Sequence, residues 1–341
     1  AVNRLKSWGF NTVGAWSDHA VYAIGELTYT INLTTNEFAT RLATPFSGSK
    51  RLPDPFASDF RAWCAMSFSA NLAGHNGRAM FMGVYVDDEP RWGTMDTPGT
   101  RFQIATAALN AQASQPAKVE LLRQLRSRYS TIGALNSAWG TAYSSWASLD
   151  APNNFTKTTF TAQCQEDFRL FVISYAQAYY ANVKAALADA GSTALYLGPS
   201  EYWVTPETTY AAMANVDVYS LNVYADPASV NWNFPESSKP VMISGFSFGA
   251  TDRGALHTGP VGLADQAERA EMLQSYVGKA LRAPKVVGVT WFTYYDQPSS
   301  GRAQDGENYN SGLISVGDNP FAEMIRAARG LGYSLYVTRG R

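Results

Sequence analysis

Asp87, Asp88 and Glu89 stand in a row directly after the apolar run Met82–Val86. Three adjacent acids at the end of a buried segment are costly to hold without partners, so something local must use them. A metal site is one such use, but the chain has only three His and no His or Cys spacing to complete it. Two larger polar clusters follow apolar runs nearer the C-terminus. Phe246, Phe248, Asp252, Arg253 and His257 come after Val241–Ser244. Asp296, Gln297, Arg302, Asp305, Glu307 and Asn308 come after Val286–Tyr295, beside Trp291 and Tyr294. Smaller groups close other runs: Trp16, Ser17 and Asp18; Ser200, Glu201, Tyr202 and Trp203; Asn222 and Tyr224.

The runs that carry these residues are short, β-branched or aromatic, and broken by Gly, Asp or Pro, which is the pattern of buried strands. Seven are recognisable, at 11–16, 27–33, 82–86, 194–198, 216–221, 241–244 and 286–295. Amphipathic segments lie between them, so strand, crossover helix and parallel strand alternate. The expected fold class is therefore α/β, a (β/α)8 TIM barrel whose first strand is not visible at the N-terminus. In such a barrel the carboxyl ends of the strands carry the chemistry, which places the polar clusters on one face. Solvated loops without a ligand are the plainer alternative. The longest helix is expected over about 163–190, with Phe168, Phe171, Val172, Tyr175, Tyr179 and Val183 at helical spacing and Gly191 as its stop. Further helices are expected over 55–73, 115–129 with Val119, Leu122, Leu125 and Tyr129 on one side, and 130–139. Thr205 and Pro206 read as N-cap and first position of a short helix. Residues 34–54 read as a long loop.

The length suits one large α/β domain spanning 1–341, trimmed at an end that lacks an initiator Met. A net charge of −1 without a basic block argues against a phosphate-backbone partner. Two cysteines, Cys64 and Cys164, make no disulfide framework and read as buried free thiols, with a single bridge as the alternative. No apolar run approaches the roughly 18 residues that span a bilayer. Dinucleotide, P-loop, HExxH and CxxC motifs are all absent, so no cofactor and no metal is expected.

Specific stretches resemble glycoside hydrolase family 50, the β-agarase family. They are RLKSWGFNTVGAWSD (4–18), LPDPF (52–56), VYVDDEPRWG (84–93), YSTIGALNSAWG (129–140), DRG (252–254) with His257, ADQAERA (264–270), WF (291–292), DQP (296–298), GR (301–302) and DGENYN (305–310). The likeness covers nearly the whole chain. It implies a retaining clan A barrel that cleaves β-1,4-galactosidic linkages of agarose or a related red-algal galactan, exo-acting with disaccharide release. It further implies a bacterial, secreted or periplasmic protein whose partner is an oligosaccharide or polysaccharide, not nucleic acid or a membrane.

The resemblance assigns Glu89 as general acid/base. It places the nucleophile at position 245, where this chain has Gly in SGFSFG instead of the Glu of the family's Glu-Phe-His-Phe-Gly motif. At the place before Glu89 the family carries an Asn that bonds the sugar 2-hydroxyl; here Asp88 stands there. The implied substrate-binding set is Trp16, Asp88, Trp203, Asn222, Tyr224, His257, Trp291, Asp296, Arg302 and Glu307, with Tyr224 as partner of the nucleophile or, alternatively, a packing residue. Gly245 leaves three accounts open: a deliberately exchanged nucleophile, a natural non-catalytic sugar binder, or another acid in its stead.

Overall fold

The computed structural model describes residues 1–45, 52–253 and 256–340. Part of the expected 34–54 loop, and Gly254 of the DRG motif, lie outside the described residues. The seven expected runs each hold a strand: β1 Thr12–Val13, β2 Thr28–Leu33, β3 Phe81–Val86, β4 Leu195–Tyr196, β5 Tyr219–Asn222, β6 Val241–Phe246 and β7 Val286–Trp291. The chain divides into two compact units, one of residues 1–31, 78–83 and 218–341, the other of 32–77 and 84–217.

In the first unit β5, β6 and β7 form a parallel sheet with β6 in the middle. Tyr219 pairs with Val241, Asn222 with Gly245, and Trp291 with Phe246. β6 is buried because Val241, Ile243 and Phe246, with Phe248 just beyond it, join Tyr276, Leu273, Met324 and Ile325 in one core. The Phe246 and Tyr276 rings stack at 4.3 Å. β1 pairs parallel with β2, and Tyr29 donates to Met80 O ahead of β3. A Cβ at Gly14 would lie 2.5 Å from Thr290 Cγ2, so only glycine lets that loop approach β7. Helices Gln266–Arg282 and Ala322–Arg339 cover the sheet's strands; the second was not expected from the sequence.

Two boundaries differ from expectation. The run 286–295 leaves the ladder at Trp291, because after Phe292 donates to Phe246 O the backbone turns to pair with Leu313 and Ile314 instead. The helix expected from 55 begins at Phe60, since Asp54 holds residues 54–57 in a turn by accepting from Phe56 N and Ala57 N.

In the second unit the helix Ala162–Asp189 is central. Thr161 caps it by accepting from Cys164 N, and Gly191 follows at φ +74. Its expected stripe of Phe168, Phe171, Val172, Tyr175, Tyr179 and Val183 is buried throughout. Pro206 opens a helix after Thr205, as read. On the helix Pro116–Arg128, Leu122 and Leu125 are buried as expected, but Val119 is exposed and Lys118 is buried. Lys118 Nζ donates to Leu109 O at 2.7 Å, Ala111 O at 2.9 Å and Ala151 O at 3.2 Å, which is how a cation occupies a place in the core. Cys64 and Cys164 are free and buried, and burial pushes each thiol up to about 12. Among the described residues no helix is long and apolar enough to cross a membrane.

Lys118→Met keeps the stem but strands three carbonyl oxygens, each lacking a donor. It is expected to cost about 2–4 kcal/mol of stability in urea unfolding. A loss below about 0.5 kcal/mol would mean that water replaces the ammonium.

Candidate active site

At the end of β3 the backbone takes an unusual course. Asp87 has φ +67 and Glu89 φ +47, a region that L-residues other than Asn and Asp seldom enter. Asp87 is buried and accepts four hydrogen bonds, from Thr35 N and Thr35 Oγ1 at 2.7 Å each, Thr34 Oγ1 at 3.2 Å and Tyr179 Oη at 2.7 Å. Its carboxylate therefore fixes the strand end, and the αL turns aim the next two side chains. Asp88 bridges to Ser200, and Glu89 N donates to Ser200 O at 2.9 Å. Glu89 is half-buried. Next to Ser200 in the chain, Glu201 is 1% exposed; it accepts from the Tyr180 hydroxyl and from Trp92 Nε1 at 3.0 Å. Burial raises Glu201 to about 8, against the pull of those two hydrogen bonds and with a small push from the Asp87 charge. Trp203 is half-buried and edge-on to Tyr202, with ring centroids 4.7 Å apart.

The first unit brings together Asn222, Tyr224 and Gly245. Gly245 is buried in β6, and its backbone conformation is one any residue adopts. A Cβ there would lie 2.7 Å from Asn222 Oδ1 and 2.9 Å from Tyr224 Oη, so the ends of these two side chains occupy the space beside it. Asn222 Oδ1 also accepts from Ser244 Oγ at 2.8 Å. Trp291, on the neighbouring strand, donates from Nε1 to Ser311 O at 3.1 Å and stands edge-on to Phe246. Arg269 lies below it, fully buried, bonded to Phe248 O and Gly312 O and to the Gln266 side chain.

The remaining expected residues are placed less uniformly. Arg302 and Glu307 come together at 2.7 Å, and Arg302 also holds Asp305 while Gln297 holds Glu307, so their charges are engaged within the loop. Asp296 is 5% exposed, and its carboxylate accepts from Gly312 N at 2.8 Å, which braces the loop's far end. His257 is exposed, stacked on Tyr309 and accepting from Gly259 N through Nδ1. Trp16 is 68% exposed with φ +69, displayed beyond β1. Among the described residues no group of three or more His, Cys, Asp or Glu could hold a metal ion.

Sequence reasoning did not assign roles to Asp87, Trp92, Tyr180 or Arg269. Tyr180 follows Tyr179 on one helix and reads as core; only the proximity of a carboxylate reveals its hydroxyl as a donor. Arg269 sits in ADQAERA, where nothing in a helical pattern marks one arginine as buried.

A family model described as β-galactosidase (glycoside hydrolase 42) matches residues 106–246. The chain is 35% identical over 359 residues to β-agarase A and 31% identical over 345 residues to β-agarase B, both of Vibrio sp. (strain JT0107). Each match covers 99% of this chain and 36% of the relative, so the chain spans about a third of the length of these curated relatives. A solved exo-β-agarase structure superposes with a TM-score of 0.94 at 31% identity, covering 99% of this chain and 46% of that one. The (β/α)8 barrel is thus its fold class, as expected. Over the residues it spans, this chain is similar throughout to β-agarases, the proteins of glycoside hydrolase family 50 that its motifs resemble.

Proposed function

We propose that this chain carries the catalytic framework of a retaining glycosidase for agarose or a related red-algal galactan, exo-acting, secreted or periplasmic, with the nucleophile replaced by Gly245. The observation that carries the reading is the 35% identity to β-agarase A across 99% of the chain. Retention needs one protonated carboxyl and one nucleophilic carboxylate about 5 Å apart. Glu89 takes the first role: it protonates the leaving oxygen, then deprotonates the water that releases the sugar. A Glu at 245 would take the second, its oxygen bonding to the anomeric carbon as the glycosidic bond breaks, with Tyr224 and Asn222 as its attendants. Trp16, Asp88, Trp203, His257, Trp291, Arg302 and Glu307 serve substrate binding.

The second reading is a galactan-binding protein without catalysis. It is favoured by the two side-chain ends that fill the place of a Cβ at Gly245. A Glu introduced there must displace Asn222 Oδ1 and Tyr224 Oη, both at the ends of rotatable side chains.

Gly245→Glu is expected to release reducing sugar from agaro-oligosaccharide by several orders of magnitude faster than the parent chain. Independently, azide with an activated β-galactoside is expected to give the α-galactosyl azide from the parent chain alone. A folded Gly245→Glu protein that binds the oligosaccharide and cleaves none would transfer the assignment to the binding reading. Trp291→Ala is expected to weaken oligosaccharide binding by about 1–3 kcal/mol in calorimetry. Because Trp291 also packs on Phe246, affinity is to be compared under conditions where both proteins are folded. Unchanged affinity removes Trp291 from the binding surface.

A further inference from the structure

Two features of the turn that carries Glu89 lead back to one neighbouring segment. The Glu89 backbone N–H is held by Ser200 O, and the Trp92 indole, three residues on, is held by the carboxyl of Glu201. Residues 200 and 201 thus grip the turn on both sides of Glu89. The grip is anchored from behind, since the Tyr180 hydroxyl on the helix Ala162–Asp189 donates to the same Glu201 carboxyl. Trp92, Tyr180 and Glu201 are all 1% exposed or less, so water does not compete for these bonds. Such a grip has a purpose here: with φ +47, Glu89 sits in a conformation that surrounding structure must enforce. A general acid displaced by a fraction of an ångström loses much of its effect.

We propose that Glu201 is the positioning residue of Glu89, acting through Trp92 and through the Ser200 carbonyl next to it. The inference rests on the role of Glu89 given above. Glu201 is a neutral acid at pH 7, because burial lifts it to about 8. The titratable groups facing it are Tyr180 and, electrostatically, Asp87 and Tyr196. A carboxyl raised in the folded state contributes stability that is complete below about pH 4 and lost as pH rises through about 8.

The test has two arms. In the parent chain, the Glu89 backbone amide and the Trp92 indole N–H resonances are followed by NMR against pH. Both are expected to shift with one midpoint near pH 8, and both shifts are expected to vanish in Glu201→Gln. An indole that titrates while the Glu89 amide stays still overturns the proposal, as does a midpoint unaffected by Glu201→Gln. The second arm uses Gly245→Glu as background. There Glu201→Leu is expected to slow cleavage of agaro-oligosaccharide about tenfold or more, the scale of a misplaced general acid. An aryl β-galactoside whose leaving group needs no proton is expected to react within about twofold of its former rate. Glu201→Gln, neutral and of the same shape, is expected to retain the oligosaccharide rate at pH 7. Equal slowing of both substrates would make Glu201 merely structural and overturn the proposal. If Glu201→Leu does not fold, Trp92→Phe removes the indole donor alone. Should Gly245→Glu cleave neither substrate, it is the functional reading that fails, and the resonance arm decides the role of Glu201.

Discussion

The Asp87 carboxylate, buried among four donors, is the interaction on which the rest of the second unit's chemistry depends. A carboxylate in that setting needs every donor it has, because each lone pair left empty in a low-dielectric interior is costly. Thr34, Thr35 and Tyr179 supply them from a loop and a helix far apart in sequence. The same bonds that satisfy Asp87 hold its backbone at φ +67, and so redirect the chain beyond β3. Asp88 and Glu89 owe their directions to that change of course. The row of three acids is thereby resolved into different tasks: one inward and structural, one bridged to Ser200 beyond β4, one half-buried.

The first unit solves the equivalent problem without a charge at its centre. β6 is buried in one apolar core, and its exit is tied by a buried arginine bonded to neutral oxygens. Arg269 is kept from being an isolated cation by Asp296 and Asp252 nearby, whose charges offset part of its desolvation. Asp296, in turn, accepts the Gly312 amide, so the long loop after β7 is pinned at both ends. Its middle is held by the Arg302, Asp305 and Glu307 cluster, which is more exposed and correspondingly weaker.

Strands and the longest helix were legible because their signals are repetitive: alternating or continuous apolar residues over four positions or more, and aromatics at i, i+3 and i+4 along residues 162–189. The end of β7 was not, because Phe292 to Tyr295 is as apolar and aromatic as the strand before it; only the competing ladder with Leu313 and Ile314 ends it. Val119 and Lys118 exchanged places against the pattern because three carbonyls at helix ends needed a donor. Of the proposed site, Glu89, Asn222, Tyr224 and Gly245 are the residues named from motif positions. The supporting partners could not, since Tyr180, Trp92 and Arg269 are aromatic or charged residues whose roles appear only when chain segments meet. The four donors of Asp87 were likewise out of reach, as threonines in a loop carry no periodic signal.

The buried thiols have a use in following how the molecule opens. Cys64 and Cys164 both belong to the second unit, and the first has no cysteine. A thiol held near 12 and shielded from solvent is almost entirely unreactive toward disulfide or alkylating reagents at neutral pH. Labelling therefore requires the second unit to unfold locally or as a whole, and its rate counts those openings. Tryptophan emission, by contrast, has sources in both units, at Trp8, Trp16, Trp232 and Trp291 as well as Trp92 and Trp139. Comparing the two signals along a denaturant series separates the melting of one half of the chain from that of the other, with no residue changed.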